Sequence, residues 1–136
     1  LGVGLRQTGQ LNPKGVKKAT KALRRFKAIT REMNLADIYF IATAAVRDAT
    51  DGAQFVKRLE EEFNIQIKVV SGKEEGILAA SGVLMSWPDA NGIVCDIGGS
   101  SLELANLKRG KIKCSQSFEL GPLALDDFQK NFFSFK

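Results

Sequence analysis

The stretch 92–104 combines residue types that can bind a phosphate group and a cation. Its apolar first half ends at Asp96, Gly98 and Gly99 follow with two serines, and Glu103 lies in a second apolar run. Glycines allow backbone N–H groups to approach an anion closely, and two carboxylates can hold the hard cation that neutralises it. A tight hairpin without a ligand explains the same glycines equally well. The stretch by itself leaves both interpretations open.

Arg47 is a second candidate, because it lies just beyond the apolar run 37–43. The density of apolar residues in that run predicts a strand of a parallel sheet that is buried on both faces. Open α/β sheets bind their ligands beside the carboxyl ends of such strands, so Arg47 could clamp an oxyanion. An ordinary surface ion pair with Asp48 or Asp51 is the alternative.

Glu74 follows the next predicted strand, 65–70, at the start of a helix predicted over Glu74–Ser86. Ser71 and Glu74 have the spacing of a capping box, which would give Glu74 a purely structural role. The same position at a strand–helix junction also suits a general base beside the glycine-rich loop. Both roles stay open at this point.

The composition narrows the chemistry that is available. The chain has 136 residues, of which 44% are hydrophobic and 26% charged, as expected for a globular domain with a core. It contains no histidine, which excludes Ser–His and Cys–His nucleophiles and disfavours a zinc site. Cys95 and Cys114 lack the close spacing of metal ligands and are predicted to be buried, reduced thiols. No run is apolar enough to span a bilayer and no leader is recognisable, so a cytoplasmic location is expected.

The positive charge is concentrated near the N-terminus. The chain has a net charge of +5, yet residues 1–36 contain nine basic side chains and one acidic side chain, a local net charge of +8. Asn12 and Pro13 predict the start of a helix in which apolar residues recur at helical spacing over 16–33. A solvated helix face is the commoner explanation of such a charge run, and a surface that attracts polyanions is the other. Few aromatic residues accompany the basic ones, so nucleic acid is not an expected partner.

The apolar periodicity along the chain predicts an α/β fold. The predicted order is helix, strand, helix, strand, helix, three meandering strands and a final helix over 123–133. The last strand, 112–120, is expected to place Ile112 and Cys114 on the same face. The segment 88–92 breaks the chain between the third helix and the meander, which makes it the predicted domain boundary.

Four motifs occur in an order that resembles the exopolyphosphatase / guanosine pentaphosphate phosphohydrolase (Ppx/GppA) family of the actin-like ATPase and sugar kinase superfamily. They are Leu5–Gly15 with the helix after it, Ala42–Ala49, Val70–Glu75 and Asp96–Glu103. Glu119–Leu125 is similar to the family's following glycine-containing turn. Each motif is short, and their order and spacing together are specific. The resemblance covers almost the whole chain.

The resemblance implies two lobes of the ribonuclease-H-like, actin-like ATPase type, with the substrate in the cleft between them. Residues 1–90 would form the later part of the first lobe and residues 91–136 the opening of the second. The family's first hairpin would precede Leu1 and more of the second lobe would follow Lys136. The chain is therefore expected to be a fragment of a longer protein, which could form a homodimer and would not bind a membrane.

The resemblance also implies roles for individual residues. Glu74 matches the catalytic carboxylate that activates water, and Arg47 matches an arginine at the cleft. Asp96 and Glu103 match acidic residues around Mg²⁺ and the phosphate. The substrate-binding loop would comprise Gly98, Gly99, Ser100 and Ser101.

Two positions depart from the family's usual pattern. Ser100 stands where a third glycine is usual, so its Cβ would crowd the phosphate or oppose a positive φ. Ala44 stands where a serine is usual, which removes a hydroxyl donor. Neither difference excludes activity.

The activity implied by the resemblance is release of the terminal phosphate from inorganic polyphosphate in the presence of Mg²⁺. Guanosine pentaphosphate is the alternative substrate. Two other interpretations compete with this one: a nucleotide- or polyanion-binding module without catalysis, and a sugar-kinase-like phosphotransferase. Phosphate release without an added acceptor separates the hydrolase from both.

Overall fold

The computed structural model describes residues 1–35 and 37–125 of the chain. The chain divides into two compact units, Leu1–Val69 and Val70–Lys136. Both units contain helix and sheet, so the predicted α/β class is confirmed. Across the described ranges, the structure has no helix that is long and apolar enough to cross a membrane.

The first unit combines helices with a short parallel sheet. The two strands pair in parallel as predicted, with Phe40 opposite Ile67 and Ala42 opposite Val69. The predicted burial on both faces is wrong, because Ile41 is 50% exposed and Val69 is 39% exposed. In chain order its elements are α1 (Leu5–Thr8), α2 (Pro13–Glu32), β1 (Phe40–Ala42), α3 (Ala44–Asp48), α4 (Gly52–Phe63) and β2 (Ile67–Val69).

Helix α2 begins where the sequence predicts. Asn12 Oδ1 accepts a hydrogen bond from Gly15 N–H at 3.0 Å, and a proline occupies the first turn, where its missing N–H has no cost. Val16 and Leu23 pack against the core of the unit, whereas Phe26 is 61% exposed, so the apolar stripe of α2 is buried only over its first half. The buried residues of this core are Leu5, Leu11, Val46, Ala49, Phe55, Leu59 and Phe63.

Two short helices, α1 and α3, are missing from the sequence prediction. They contain four and five residues, which is too short for an apolar repeat to be recognised. Helix α4 starts directly against α3. The approach is so close that a Cβ at Gly52 would overlap the carbonyl oxygen of Val46. This close approach requires glycine at the first position of α4.

The second unit is an antiparallel meander with one long helix packed on it. Its elements are α5 (Gly72–Ser86), β3 (Gly92–Ile97), β4 (Leu102–Lys108) and β5 (Lys111–Phe118), and the strand order is β3-β4-β5. Ala80 of α5 is fully buried and clusters with Ala105 and Leu107 of β4. Residues 122–125 are helical, and the rest of the final helix predicted over 123–133 lies outside the described residues.

Two details of the sequence prediction for this unit are wrong. Ile112 packs with the core beneath α5, whereas Cys114 is exposed, because a register shift beside Asn106 adds one residue to β5 and reverses the face. Cys95 and Cys114 are free cysteines as expected, but both are exposed rather than buried. They lie on the face of the meander that α5 does not cover.

Helix α5 belongs to the second compact unit because it packs against the strands that follow it in the chain. Along the chain, the boundary between the two units therefore lies between Val69 and Val70. The lobe boundary predicted after residue 90 refers to the complete fold that the resemblance implies, and it stays a prediction.

Candidate functional site

The loop between β3 and β4 is a tight hairpin. Ile97 pairs with Leu102, and Gly98 N–H donates to Ser101 O at 2.9 Å, which closes the turn. The hairpin interpretation is therefore correct for the backbone. Within the described part of the chain, however, the N–H groups of residues 99–101 donate to no backbone carbonyl. No backbone carbonyl occupies these three N–H groups, so the hairpin is compatible with an anion bound at the loop.

A second turn binds the carbonyl groups of this loop. Gly99 O accepts a hydrogen bond from Leu123 N–H at 2.8 Å, and Ser100 O accepts one from Gly121 N–H at 3.2 Å. A Cβ at Gly121 would overlap the backbone of Gly99 and Ser100, so only glycine permits this approach. The loop conformation is therefore supported before any anion binds.

Ser100 fits the loop without backbone strain. The positive φ angles of non-glycine residues in the described ranges occur at Asn34, Asn64 and Arg109, and none of these lies in the loop. The conflict predicted between the Ser100 side chain and a positive φ does not arise. Crowding of the phosphate by this side chain stays a prediction.

A row of polar residues crosses the meander beneath the first turn of α5. The strand register places Asp96, Glu103 and Ser117 side by side, and we call these three residues the polar row. Glu103 is 1% exposed, and its Oε1 accepts a hydrogen bond from the Ser117 hydroxyl at 2.7 Å. Glu103 Oε2 and the Ser115 hydroxyl are buried without a partner among the described residues. Such atoms cost roughly 1–3 kcal/mol each when unpaired, so a group bound here would stabilise the site.

Two glycines allow α5 to approach the polar row. An added Cβ at Gly72 would overlap Ser117 and lie 3.8 Å from Glu103 Oε1, and one at Gly76 would overlap the Ser115 hydroxyl. Glu103 therefore lies beside the first turn of α5, where unpaired N–H groups carry a partial positive charge. This charge offsets part of the cost of burying a carboxylate.

Replacing Gly72 with alanine is expected to destabilise the protein by about 1–3 kcal/mol, because the Ser117 Cβ cannot rotate away from the new methyl group. Gly82→Ala in the same helix is the matched control. Nothing lies within 4 Å of its added Cβ, so it should stabilise the protein by roughly 0.5–1 kcal/mol. Denaturant unfolding of the whole protein measures both changes, and equal midpoints for the two variants would contradict the close approach of α5.

Ser71 and Glu74 form the capping box that their spacing predicts. Ser71 Oγ accepts a hydrogen bond from Glu74 N–H at 3.2 Å. Glu74 Oε2 accepts hydrogen bonds from the N–H and the hydroxyl of Ser71, each at 2.9 Å. The structural role that the sequence left open for Glu74 is therefore present, and its catalytic role stays a prediction.

Glu75 is a carboxylate that the sequence reasoning did not single out. Gly72 and Gly76 contact the sheet, and successive residues of a helix are rotated by about 100°. Viewed down the axis of α5, Glu75 is therefore rotated by roughly 80° from the side of the helix that faces the sheet. Glu74 is on the side that faces away from the sheet. The sequence did contain a signal for Glu75. Two carboxylates are consecutive there, and only Glu74 has the capping-box position.

Arg47 belongs to the first unit, where it lies in α3. Its Nε donates to Asp48 Oδ1 at 3.0 Å, and its side chain is 24% exposed. The ion pair with Asp48 that the sequence left open is therefore present. The predicted role of Arg47 at the cleft stays a prediction.

Asp96 and Glu103 have the chemistry that a small hard cation requires. The described residues contain no cluster of three or more histidine, cysteine, aspartate or glutamate side chains that could hold a metal ion by themselves. Mg²⁺, however, is usually bound by one or two carboxylates together with water and substrate phosphates. Two neighbouring carboxylates, one with an unpaired buried oxygen, fit such an ion.

Sequence reasoning also missed the residues that support this site. Ser117 becomes a partner of Glu103 only through the pairing of β4 with β5, and Gly121 contacts the loop from a later turn. The signal available for Gly72 and Gly76 was their spacing of four in a helix, which is typical of close packing against a neighbour.

Comparisons with known proteins identify the family of this chain. Residues 1–133 match the model of the Ppx/GppA phosphatase family. A guanosine-5'-triphosphate,3'-diphosphate pyrophosphatase from Aeromonas hydrophila is 31% identical over 124 residues, which cover 89% of this chain and 25% of that protein. The chain thus spans about a quarter of the length of this relative.

Two crystal structures are similar to this chain over most of its length. An exopolyphosphatase from Cytophaga hutchinsonii has a TM-score of 0.83 at 29% identity, over 90% of this chain and 40% of that one. The Ppx/GppA family member from Aquifex aeolicus has a TM-score of 0.75 at 26% identity, over 99% of this chain and 48% of that one. The likeness shows that this chain has the fold of part of these two structures. The chain belongs to the Ppx/GppA phosphatase family.

Proposed function

We propose that the protein containing this chain hydrolyses phosphoanhydrides and releases the terminal phosphate of inorganic polyphosphate. The observation that carries the proposal is the loop 98–101, which has unused N–H groups and lies beside the carboxylates of Asp96 and Glu103. Similar proteins are named exopolyphosphatase and guanosine-5'-triphosphate,3'-diphosphate pyrophosphatase, which supports the class of reaction. Guanosine pentaphosphate is therefore the second candidate substrate.

The loop is proposed to bind the terminal phosphate through the N–H groups of residues 99–101 and the hydroxyls of Ser100 and Ser101. Asp96 and Glu103 would hold Mg²⁺, whose charge would neutralise phosphate oxygens when it is bound. Because the second turn already holds the loop, its donors need little rearrangement as charge develops on the phosphate. The arrangement suits a reaction in which the protein mainly positions and neutralises the reacting groups.

A carboxylate from the first turn of α5 is proposed to accept the proton of the attacking water. The water oxygen forms a bond to the terminal phosphorus, the bond from that phosphorus to the bridging oxygen breaks, and the shortened chain leaves. Glu74 is the candidate from the sequence, and Glu75 is the candidate from the geometry of the helix. Arg47 is proposed to contact phosphate oxygens.

Phosphate release without an acceptor tests this function. The whole protein is incubated with long-chain inorganic polyphosphate and Mg²⁺, and free phosphate and chain length are measured over time. Stepwise shortening with release of phosphate is expected. Saturable binding without release would indicate a binding module instead, and turnover that requires an added hydroxyl compound would indicate a phosphotransferase. A parallel assay with guanosine pentaphosphate ranks the two substrates.

A further inference from the structure

A groove on the first unit runs between α2 and α4 and carries an excess of positive charge. Its volume is about 750 Å³. Lys17, Lys21 and Arg24 line it from α2, and Arg58 lines it from α4. We call these four side chains and the space they line the basic groove.

The acidic side chains of the basic groove are already engaged. Asp51 Oδ1 accepts a hydrogen bond from Leu11 N–H at 2.9 Å, and Glu62 forms an ion pair with Arg24 at 2.6 Å. Among the residues that the structure describes, Lys17 and Lys21 form no ion pair. Four basic side chains against two carboxylates give the lining of the groove a net charge of +2.

Both arginines of the groove lie over aromatic rings of the core. The Arg24 guanidinium lies 5.8 Å from the centre of the Phe63 ring, and that of Arg58 lies 5.5 Å from the centre of the Phe55 ring. Phe55 and Phe63 are both buried, and each contact favours this position of the cation by about 0.5–1 kcal/mol. Side chains that are ordered in advance lose less conformational entropy when a ligand binds.

The shape and lining of the groove favour a linear polyanion over a nucleotide. Lys14, Lys17, Lys21 and Arg24 follow one side of α2 at spacings of three and four, over about 15 Å of helix. Such a row can contact several charges of an extended chain at once. The lining residues in the described part of the chain include no aromatic side chain on which a base could stack.

We propose that the basic groove binds inorganic polyphosphate as an anchoring site distinct from the loop 98–101. A polyphosphate chain bound at the groove stays attached to the protein, so its effective concentration at the protein exceeds its concentration in solution. The choice of polyphosphate among polyanions rests on the proposed function, whereas the existence of the site rests on the groove alone.

The test compares two double variants with the same change in net charge. Lys17→Gln with Lys21→Gln alters the groove, and Lys18→Gln with Arg25→Gln alters exposed residues of α2 outside its lining. Binding of long-chain polyphosphate to the whole protein is measured without Mg²⁺ over a range of salt concentrations. The groove variant is expected to bind about 10–100-fold more weakly, with a log–log salt slope about two units shallower, roughly one per lysine. The control should bind as the unaltered protein does.

Equal losses in the two double variants would overturn the proposal, because they would show a response to net charge alone. Single-stranded RNA is then added at the same concentration of phosphate groups as the polyphosphate. If the RNA displaces polyphosphate, the groove does not prefer polyphosphate and the proposal is overturned. In turnover assays, the groove variant should raise KM for long chains and leave KM for inorganic tripolyphosphate and kcat unchanged. Because binding is measured without turnover, failure of the groove and failure of the proposed hydrolase activity give different results.

Discussion

Replacing Glu75 with glutamine is expected to lower the rate of phosphate release about 10²–10⁴-fold, which is the usual contribution of a general base. Glu75 lies on the flank of α5 beside the residues that contact the sheet, and it is not part of the capping box. Glutamine keeps the shape of the side chain but cannot accept the proton of the attacking water. Initial rates of phosphate release and the unfolding temperature, measured on the whole protein, separate lost chemistry from lost stability.

Glu74→Gln is the matched control for this prediction. A capping box accepts glutamine as well as glutamate, so Ser71 N–H keeps an acceptor and stability should change by less than about 0.5 kcal/mol. Turnover should fall only slightly. If Glu74→Gln abolishes phosphate release and Glu75→Gln does not, Glu74 is the base, as the sequence predicts. If neither variant is impaired, the base does not come from α5.

Asp96→Asn is expected to reduce phosphate release by about 10²–10³-fold and to raise the Mg²⁺ concentration required for half-maximal activity. Asp96 lies opposite Glu103 in the strand register, one residue before the end of β3 and close to the loop 98–101. Asparagine keeps an oxygen at this position but removes the negative charge, which weakens the hold on a hard cation. Rates measured across a range of Mg²⁺ concentrations give both quantities.

Asp89→Asn provides the control for Asp96→Asn. Asp89 is exposed in the turn before β3, so the same chemical change there should leave both the rate and the Mg²⁺ dependence unaltered. If the Asp96 and Asp89 variants have the same Mg²⁺ dependence, Asp96 does not bind the cation. Its loss of activity would then have to come from the loop.

The helix starts could be predicted because capping is local. Asn12 accepts from Gly15, and Ser71 exchanges hydrogen bonds with Glu74, so each cap joins residues three positions apart. The motif Asp96–Glu103 likewise supplied all the residue types of the loop within eight positions. The order and type of the longer elements followed from apolar periodicity for the same reason, since each repeat lies within one element.

Predictions that depended on contacts between elements were less successful. The register shift beside Asn106 moved Ile112 to the face opposite Cys114, and it depends on how β4 and β5 pair. The expected burial of Cys95 followed from an apolar run, but a three-stranded meander covered on one side leaves the other face exposed. Strand alternation predicts which residues share a face, whereas tertiary packing determines which face is covered.

By itself, the sequence determined the residue types of the loop 98–101, the capping of α2 and α5, the order of the main elements and the family to which the chain belongs. Only the tertiary structure decided that Ser117 binds Glu103, that Gly121 supports the loop, and that α2 and α4 form a basic groove. The Ser117 and Glu103 side chains are 14 positions apart, and Leu11 and Asp51 at the groove are 40 apart. Contacts of this length depend on the packing of separate elements, and short-range patterns of residue type do not specify them.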